Sequence, residues 1–301
     1  MIRKLFFLIP VLVLATACEV YFMDDVFTFD ENPFAAEEPI LSDDDGLFKA
    51  LIFTDAHIDK KGGSVRDWSQ TIINLAAEEE FDLVISLGDL SDTGSIHSDE
   101  IGTFIEKVTK TGTPFLALVG NHELHSGYDA PDWKAFYHDM GAYGPVGCWR
   151  AGPVAIYALD NSKRIFSARQ LEWFEQAVSS TNAKYRIVLM HEDFTSGDHF
   201  DQGMGFMYGS ADAGEWLYLM QIAAENNVRL MLNGHRHNGG GLSQHKGFQE
   251  FNLDALCEGS SIFSSEGKYY TLTLDEQTGT AVLSSWHAAD RSLEESWTMQ
   301  F

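Results

Sequence analysis

Side chains that can bind metal ions stand in five short groups along the chain. They are Asp55 and His57, Asp89, Asn121 and His122, His191, and His235 and His237. Carboxylate and amide oxygens and imidazole nitrogens are ligands that suit borderline divalent ions such as Mn²⁺, Fe²⁺ and Zn²⁺. Two such ions side by side can activate water and stabilise negative charge on phosphoryl oxygens. The set therefore indicates hydrolytic chemistry at a pair of metal ions.

Each group follows an apolar run that predicts a buried strand. The runs cover residues 48–53, 81–87, 114–119, 186–190 and 228–232. Continuous apolar runs bounded by Gly or Asp are typical of strands that are buried on both faces. The carboxyl ends of strands in an open α/β sheet are where ligands bind. We therefore expect the five groups to converge at one edge.

Helical and further strand patterns complete the predicted fold. Apolar residues at helical spacing predict helices over 67–80, 99–110, 167–178 and 211–226. Further strands are predicted over 154–159, 248–253, 269–274 and 280–285, with a hairpin loop between the last two. This β-rich end indicates a second sheet. The prediction is an α/β fold, a sandwich of two mixed β-sheets flanked by helices.

The order of the motifs resembles that of the calcineurin-like metallophosphoesterases. The motifs are Asp55-x-His57, Gly88-Asp89-x-x-Asp92, Gly120-Asn121-His122-Glu123, His191 and Gly234-His235-x-His237. The resemblance implies the α/β/β/α sandwich of that family and hydrolysis of phosphate esters by a hydroxide that bridges two divalent metals. It also implies the ligands: Asp55, His57, Asp89 and His237 for one metal, and Asp89, Asn121, His191 and His235 for the other.

The resemblance gives His122 and Asp92 catalytic roles without metal ligation. His122 is expected near the leaving group, as a general acid or as a hydrogen-bond donor to the transition state. Asp92 matches the family carboxylate that orients this histidine, and such a pairing favours the imidazolium form. Glu123 lies in the same motif without an assigned chemical role.

Departures from relatives within the family narrow the expected substrate. The family's Ser/Thr protein phosphatases carry an Arg where this chain has Thr93, so protein phosphatase activity is disfavoured. Purple acid phosphatases carry a Tyr ligand where this chain has Asp92, so a tyrosinate-bound ferric ion is not expected. Arg236 either reaches a substrate phosphate or is a solvent-facing or acid-paired residue. A phosphate monoester and a phosphate diester both remain open as substrates.

The start of the chain predicts export. Arg3 and Lys4 precede an apolar run that is too short to span a bilayer, and small residues follow it up to Cys18. Residues 1–18 resemble a bacterial lipoprotein signal, in which Cys18 becomes the lipidated first residue. The alternative is plain secretion, with cleavage after Ala17. We expect a protein of the cell envelope, anchored to a membrane by its lipid.

Composition separates the remaining chain into two parts. Residues 19–46 are rich in Asp and Glu and contain no Lys or Arg, which predicts a solvated acidic tether; calcium binding there is the alternative. Residues 47–301 are predicted to form one phosphoesterase domain. The formal net charge of -25 disfavours nucleic-acid binding because such a surface repels phosphates.

Three questions stay open from the sequence. A module that kept the fold but lost turnover, acting as a binding or scaffold protein, is the alternative to an enzyme. The segment 194–208 is either a lid over the substrate or a packed surface loop. Cys148 and Cys257 could pair in an exported protein, but their separation in space cannot be read from the sequence.

Overall fold

The computed structural model describes residues 38–39, 45–60, 68–163, 166–193, 212–237, 241–245, 247–259 and 266–301. Three sequence predictions lie outside the described residues. These are the signal segment 1–18 with Cys18, the acidic tether apart from residues 38–39 and 45–46, and the segment 194–208.

The described residues form thirteen strands and five α-helices. The strands are β1 (Glu38–Pro39), β2 (Leu47–Phe53), β3 (Leu83–Ser86), β4 (Phe115–Ala117), β5 (Gly147–Ala151), β6 (Val154–Ala158), β7 (Tyr185–Leu189), β8 (Val228–Asn233), β9 (Gly241–Gln244), β10 (Gln249–Asn252), β11 (Lys268–Asp275), β12 (Thr280–His287) and β13 (Leu293–Gln300). The helices are α1 (Ser69–Glu78), α2 (Asp99–Thr109), α3 (Ala130–Asp139), α4 (Ala168–Ser180) and α5 (Asp212–Glu225).

The strands form two mixed sheets. The larger has the order β1-β5-β6-β7-β8-β10-β9, and the smaller has the order β13-β12-β11-β2-β3-β4. Strands β2, β3 and β4 are parallel neighbours, whereas β11 pairs antiparallel with both β2 and β12. In the larger sheet β6, β7, β8 and β10 are parallel. The predicted sandwich of two mixed sheets is confirmed.

Strand β2 shows why the apolar runs are continuous. Phe48, Ala50 and Ile52 face the core between the two sheets, whereas Leu51 and Phe53 face the core beneath the helices. Successive side chains of a strand point to opposite faces, so a strand buried on both faces needs an apolar residue at nearly every position. The continuous run therefore records a layer of protein on each side of the sheet.

Helices cover the outer face of each sheet. The core beneath the smaller sheet contains Ile72 of α1, Ile105 of α2 and Trp133 of α3. The core beneath the larger sheet contains Phe174 of α4 and Ile222 of α5. The two helical layers and the two sheets give the layer order α/β/β/α. Among the helices that the structure describes, none is both long and apolar enough to pass through a bilayer.

Several described elements were not predicted from the sequence. Helix α3 begins at a capping box between Asp129 and Asp132 with Pro131 in its first turn, a segment that has the polar composition of a loop. Strand β13 is an edge strand exposed along most of its length, so it lacks an alternating apolar pattern. Strand β1 pairs with β5 and lies within the segment predicted as a tether.

One segment of irregular backbone joins the two sheets near the strand ends. We call residues 253–257 the bridging segment. The N–H of Leu253 donates to the carbonyl of Asn233, at the end of β8 in the larger sheet, over 2.7 Å. The N–H of Leu256 donates to the carbonyl of Thr54, just after β2 in the smaller sheet, over 2.8 Å. The carboxyl ends of β2 and β8 are therefore tied together through one stretch of backbone.

Candidate metal centre

Backbone pairing continues past the ends of β2 and β3. The N–H of Asp55 donates to the carbonyl of Gly88, and the N–H of His57 donates to the carbonyl of Asp89, each over 3.0 Å. Parallel strands place their carboxyl ends at the same edge, so the two loops that follow leave side by side. This pairing brings the side chains of Asp55, His57 and Asp89 into one place.

The first half of the site forms around Asp55 and His237. Nε2 of His237 lies 2.8 Å from Oδ1 of Asp55 and 3.2 Å from Nε2 of His57. Nε2 of His57 in turn lies 3.9 Å from Oδ2 of Asp89. Ligand atoms of these four residues all lie within 4.8 Å of one another, which is close enough to surround one metal ion.

The second half shares Asp89 with the first. Oδ2 of Asp89 lies 3.4 Å from Nε2 of His191, and Oδ1 of Asn121 lies 3.2 Å from the same nitrogen. Ligand atoms of Asp89, His191 and His235 also lie within 4.8 Å of one another. The structure thus brings together all seven side chains that the sequence predicts as ligands. Asp89 belongs to both halves, as the bridging prediction requires; metal binding by these residues stays a prediction.

Five of the seven side chains stand on left-handed backbone. The φ angles are 52° at Asp55, 45° at His57, 50° at Asp89, 75° at His235 and 57° at His237. A residue with a Cβ adopts this region at a cost of roughly 1–2 kcal/mol, and such strain concentrates at functional sites. The turns after β2, β3 and β8 therefore position their ligands through backbone angles that a regular strand does not adopt.

Glycines in front of the ligands allow the loops to approach closely. A Cβ on Gly120 would collide with the carboxylate of Asp89, and one on Gly234 would collide with the side chain of Thr54 and approach Oδ2 of Asp55 to 2.7 Å. The carboxylates of Asp89 and Asp55 are buried and hydrogen-bonded, so moving either to make room would break a hydrogen bond. A glycine therefore precedes Asn121 and His235 in the sequence because no larger residue fits there.

In His191 and His57 the ring nitrogen Nδ1, which does not point into the cluster of ligand atoms, lies close to an oxygen atom. Nδ1 of His191 lies 2.9 Å from the carbonyl oxygen of Leu87, which can only accept a hydrogen bond. That contact leaves the proton on Nδ1 and frees Nε2 for a metal. Nδ1 of His57 lies 3.2 Å from Oδ1 of Asp92, a contact between a ring nitrogen and a carboxylate.

His235 and His237 also have partners behind them. Nε2 of His235 lies 3.3 Å from Oε2 of Glu192, and Nδ1 of His237 lies 3.8 Å from Sγ of Cys257. Glu192 and Cys257 were not predicted as parts of the site. Glu192 directly follows His191, whereas Cys257 reaches His237 only because the bridging segment runs beside Asp55. Cys257 and Cys148 are both buried, and neither is joined in a disulfide bond.

The electrostatics of the two halves favour bound cations. Burial opposes charge on Asp55 and Asp89, yet their histidine partners hold the pKa of both carboxyls below its usual range. Burial likewise disfavours a charged imidazole, but Asp89 raises the pKa of His191 to about 10 and Asp55 raises that of His237 to about 11. Protons and metal ions compete for these nitrogens. Buried carboxylates that attract positive charge this strongly fit divalent cations.

His122 lies beside the metal-type groups rather than within them. Its Nε2 lies 4.0 Å from Oδ2 of Asp89, and its Nδ1 lies 3.3 Å from the carbonyl oxygen and 3.5 Å from Oδ1 of Asp92. Burial lowers the pKa of His122, although the charge of Asp89 opposes that shift. The contact with Asp92 therefore orients the ring but does not by itself keep the imidazole charged.

Glu123 holds the loop that carries Asp89. Its Oε2 accepts the backbone N–H groups of Gly120 over 2.7 Å and Asp89 over 2.9 Å, and its Oε1 accepts that of Ser91 over 2.8 Å. Burial, followed by the charge of Asp89, raises the pKa of Glu123 to about 8 against the opposing effect of these donors. A residue without an assigned role in the motif thus joins two loops of the site.

Asp59 holds the same loop from the other side. Its carboxylate accepts the N–H of Asp92 over 2.6 Å, the hydroxyl of Thr93 over 2.5 Å and the hydroxyl of Ser91 over 3.0 Å. Burial would raise the pKa of Asp59, but the hydrogen bonds from Thr93 and Asp92 outweigh it and lower that pKa. Thr93, which stands where protein phosphatases carry an Arg, is therefore a donor within the loop.

Arg236 follows the second of its two alternatives. Its Nε donates to Oδ1 of Asp193 over 2.7 Å, so the guanidinium is paired with an acid.

Comparisons with known proteins agree with this geometry. The family model for calcineurin-like phosphoesterases matches residues 48–239. The fold is similar to GAP50, described as the anchor in the inner membrane complex of Plasmodium, at 16% identity over 85% of this chain and 89% of that one, with a TM-score of 0.57. It is also similar to a dimetal phosphatase from Danio rerio, at 13% identity over 84% of this chain and 99% of that one, with a TM-score of 0.58. No curated protein matches the sequence.

Proposed function

The chain belongs to the calcineurin-like phosphoesterase family, and from that premise we propose that it is a metal-dependent phosphoric ester hydrolase. One observation carries the proposal. Seven side chains from five separate strand ends meet in one cluster, and Asp89 belongs to both of its halves. A shared carboxylate between two groups of imidazole ligands is the arrangement that a pair of divalent ions requires.

We propose two divalent ions, of Mn, Fe or Zn, as the cofactors. Asp55, His57, Asp89 and His237 would hold one ion, and Asp89, Asn121, His191 and His235 would hold the other. When bound, such ions supply an activated water and stabilise the charge on phosphoryl oxygens. The residues of this chain orient the ligands and exclude bulk water, because Asp55, Asp89 and His191 are buried.

His122 and Asp92 would act on the leaving group. The contact of Nδ1 with Asp92 orients the His122 ring, and Nε2 is left for the oxygen that departs from phosphorus. A proton on Nε2 would neutralise the developing alkoxide, which matters most when the leaving group is a poor one. Asp92 stabilises the charged imidazole in that step by the nearness of its carboxylate.

The test is a panel of phosphate esters presented to protein of known metal content. We expect metal-loaded protein to hydrolyse p-nitrophenyl phosphate, bis-p-nitrophenyl phosphate or both. Chelation should abolish the activity, and adding back one kind of divalent metal should restore it. The relative rates on the two esters decide between monoesterase and diesterase. His122→Asn should retain the metal and slow turnover by about 10²–10⁴-fold. Activity that survives chelation would contradict the proposal.

A non-catalytic role is the second candidate, since one protein of similar fold is described as an anchor. In that case the same domain would bind a partner at the cell envelope. Protein with a full complement of metal and no turnover on any ester in the panel would favour it.

We also propose export and attachment to a membrane through lipid on Cys18. The charged start, the short apolar run and the small residues before Cys18 support it. Mass spectrometry of the N-terminal peptide of the mature protein should show a lipidated cysteine. Cys18→Ala should move the protein to the soluble envelope fraction. An unmodified Cys18 at the mature N-terminus would instead indicate plain secretion.

A further inference from the structure

Asp59 is a buried carboxylate that the proposed mechanism does not use. It is 4% exposed and stands two residues after the predicted ligand His57. Its hydrogen bonds go to the loop 91–93, which leaves the end of a different strand. A buried carboxylate that collects donors from one short loop fixes the conformation of that loop.

The Asp92 residue that Asp59 holds is in contact with three imidazoles. Its N–H donates to Asp59, and its carbonyl oxygen lies 3.3 Å from Nδ1 of both His122 and His125. Its carboxylate lies 3.2 Å from Nδ1 of His57 and 3.5 Å from Nδ1 of His122. A rotation of the Asp92 backbone would therefore move both groups that orient His122.

We propose that Asp59 is a positioning residue for the hydrolysis, and that it sets the orientation of His122 through the backbone of Asp92. The inference rests on the proposed function, because it assigns Asp59 to the step in which the leaving group departs. Asp59 touches neither the ester nor the metals. It acts by keeping the carbonyl oxygen and the carboxylate of Asp92 in contact with Nδ1 of His122.

Asp82 provides a matched control at the opposite end of the same strands. Its carboxylate also accepts a backbone N–H across β2 and β3, that of Lys49 over 2.7 Å. Asp82→Asn therefore removes the charge of a similarly bonded carboxylate without touching Asp92. A residue that only stabilises the fold should behave as Asp82 does.

The first measurement compares rates at saturating metal. In Asp59→Asn we expect kcat on an alkyl phosphate, which has a poor leaving group, to fall about 10-fold. On p-nitrophenyl phosphate, whose leaving group needs little protonation, the fall should be much smaller. Asp82→Asn should leave both rates unchanged. Equal losses on the two esters in Asp59→Asn would overturn the proposal.

The second measurement does not depend on activity. Imidazole NMR signals of His122 and His125 should shift in full-length, metal-loaded Asp59→Asn, while those of His245, far along the chain, should not. Amide exchange should accelerate at Ser91, Asp92 and Thr93. If the wild-type protein hydrolyses no ester, the proposed function fails, and these signals still decide whether Asp59 positions His122. Unchanged His122 signals would overturn the inference.

A second variant guards against misfolding of Asp59→Asn. Thr93→Val removes one donor to the Asp59 carboxylate and leaves the carboxylate itself in place. We expect the same dependence on the leaving group, with a smaller loss in kcat. A Thr93→Val protein with wild-type His122 signals and wild-type rates on both esters would count against the proposal.

Discussion

The two ends of the β2–β3 pair are built from the same strands but in opposite ways. At the amino end, the N–H of Lys49 donates to the carboxylate of Asp82 over 2.7 Å, and the N–H of Asp82 donates to the carbonyl of Lys49 over 2.9 Å. The ammonium group of Lys49 pairs with the nearby Asp45 over 3.1 Å. All three residues keep ordinary backbone angles. At the carboxyl end, Asp55 and Asp89 combine positive φ angles with buried carboxylates.

The contrast between the two ends shows where the backbone of this molecule is strained. Left-handed backbone and neighbouring buried acids both raise the free energy of the folded state. At the amino end the positive φ angle falls on Gly46, which has no Cβ, and Asp45 is exposed, so the same strands are closed there without either cost. The carboxyl end keeps both because the aim of the ligands depends on them, so its features point to function rather than to stability.

The largest expected effect is at the carboxylate that both halves share. Asp89→Asn should lower metal occupancy and kcat by at least about 100-fold, because one substitution weakens both metal sites. Metal analysis by mass spectrometry and rates at fixed metal concentration measure it. Wild-type occupancy and rate in Asp89→Asn would remove the distinction between the two ends.

Substitution of Glu123 should have a smaller effect on activity than substitution of Asp89. Glu123→Gln places an amide N–H against backbone donors, so the free energy of unfolding should fall by about 2 kcal/mol. Metal affinity should fall by about 10-fold or more, because the loop of Asp89 loosens. Chemical denaturation and metal titration check the two parts. A stability loss without any change in metal affinity would place Glu123 with the structural residues.

The two buried thiols differ in their distance from the ligands. Cys257→Ala removes the atom behind Nδ1 of His237 and should weaken metal binding by up to about 10-fold. Cys148→Ala removes a thiol packed among the apolar side chains beneath the larger sheet and should leave metal affinity unchanged. Competition with a metal-binding dye compares the variants. Equal affinities would mean that the thiol does not influence His237.

The smallest functional effect is expected at the amino end. Asp82→Asn should lower the free energy of unfolding by about 1 kcal/mol, because the N–H of Lys49 loses a charged acceptor. Metal content and rates should stay at wild-type values. Thermal unfolding and the ester panel on the same preparation provide the measurement. A loss of activity here would show that the two ends are coupled.

The sequence could predict the ligands because two local signals coincide. Each ligand follows an apolar run, and each carries an atom that binds metals, as with Asp89 after β3 and His191 after β7. The same continuous apolar runs predicted all five strands that lead to the site, with ends that differ from the structure by a residue or two.

The supporting residues could not be predicted in the same way. Asp59, Glu123 and Cys257 act through backbone groups or side chains from other loops, and nothing in their local sequence marks those partners. Strand β13 escaped prediction because an exposed edge strand needs no apolar alternation. Charge and hydrogen-bonding capacity can be read from a sequence, whereas the partner that uses them depends on the tertiary fold.

The bridging segment has a mechanical consequence for the whole sandwich. Its backbone is bonded to Asn233 on one side and to Thr54 and Asp55 on the other, so the two sheets cannot slide past each other at this rim without displacing Asp55. Ions bound by Asp55 and His235 would join the same two sheets a second time, from the solvent side. Metal loading should therefore stiffen the molecule as a whole, and the melting temperature would follow the free metal concentration.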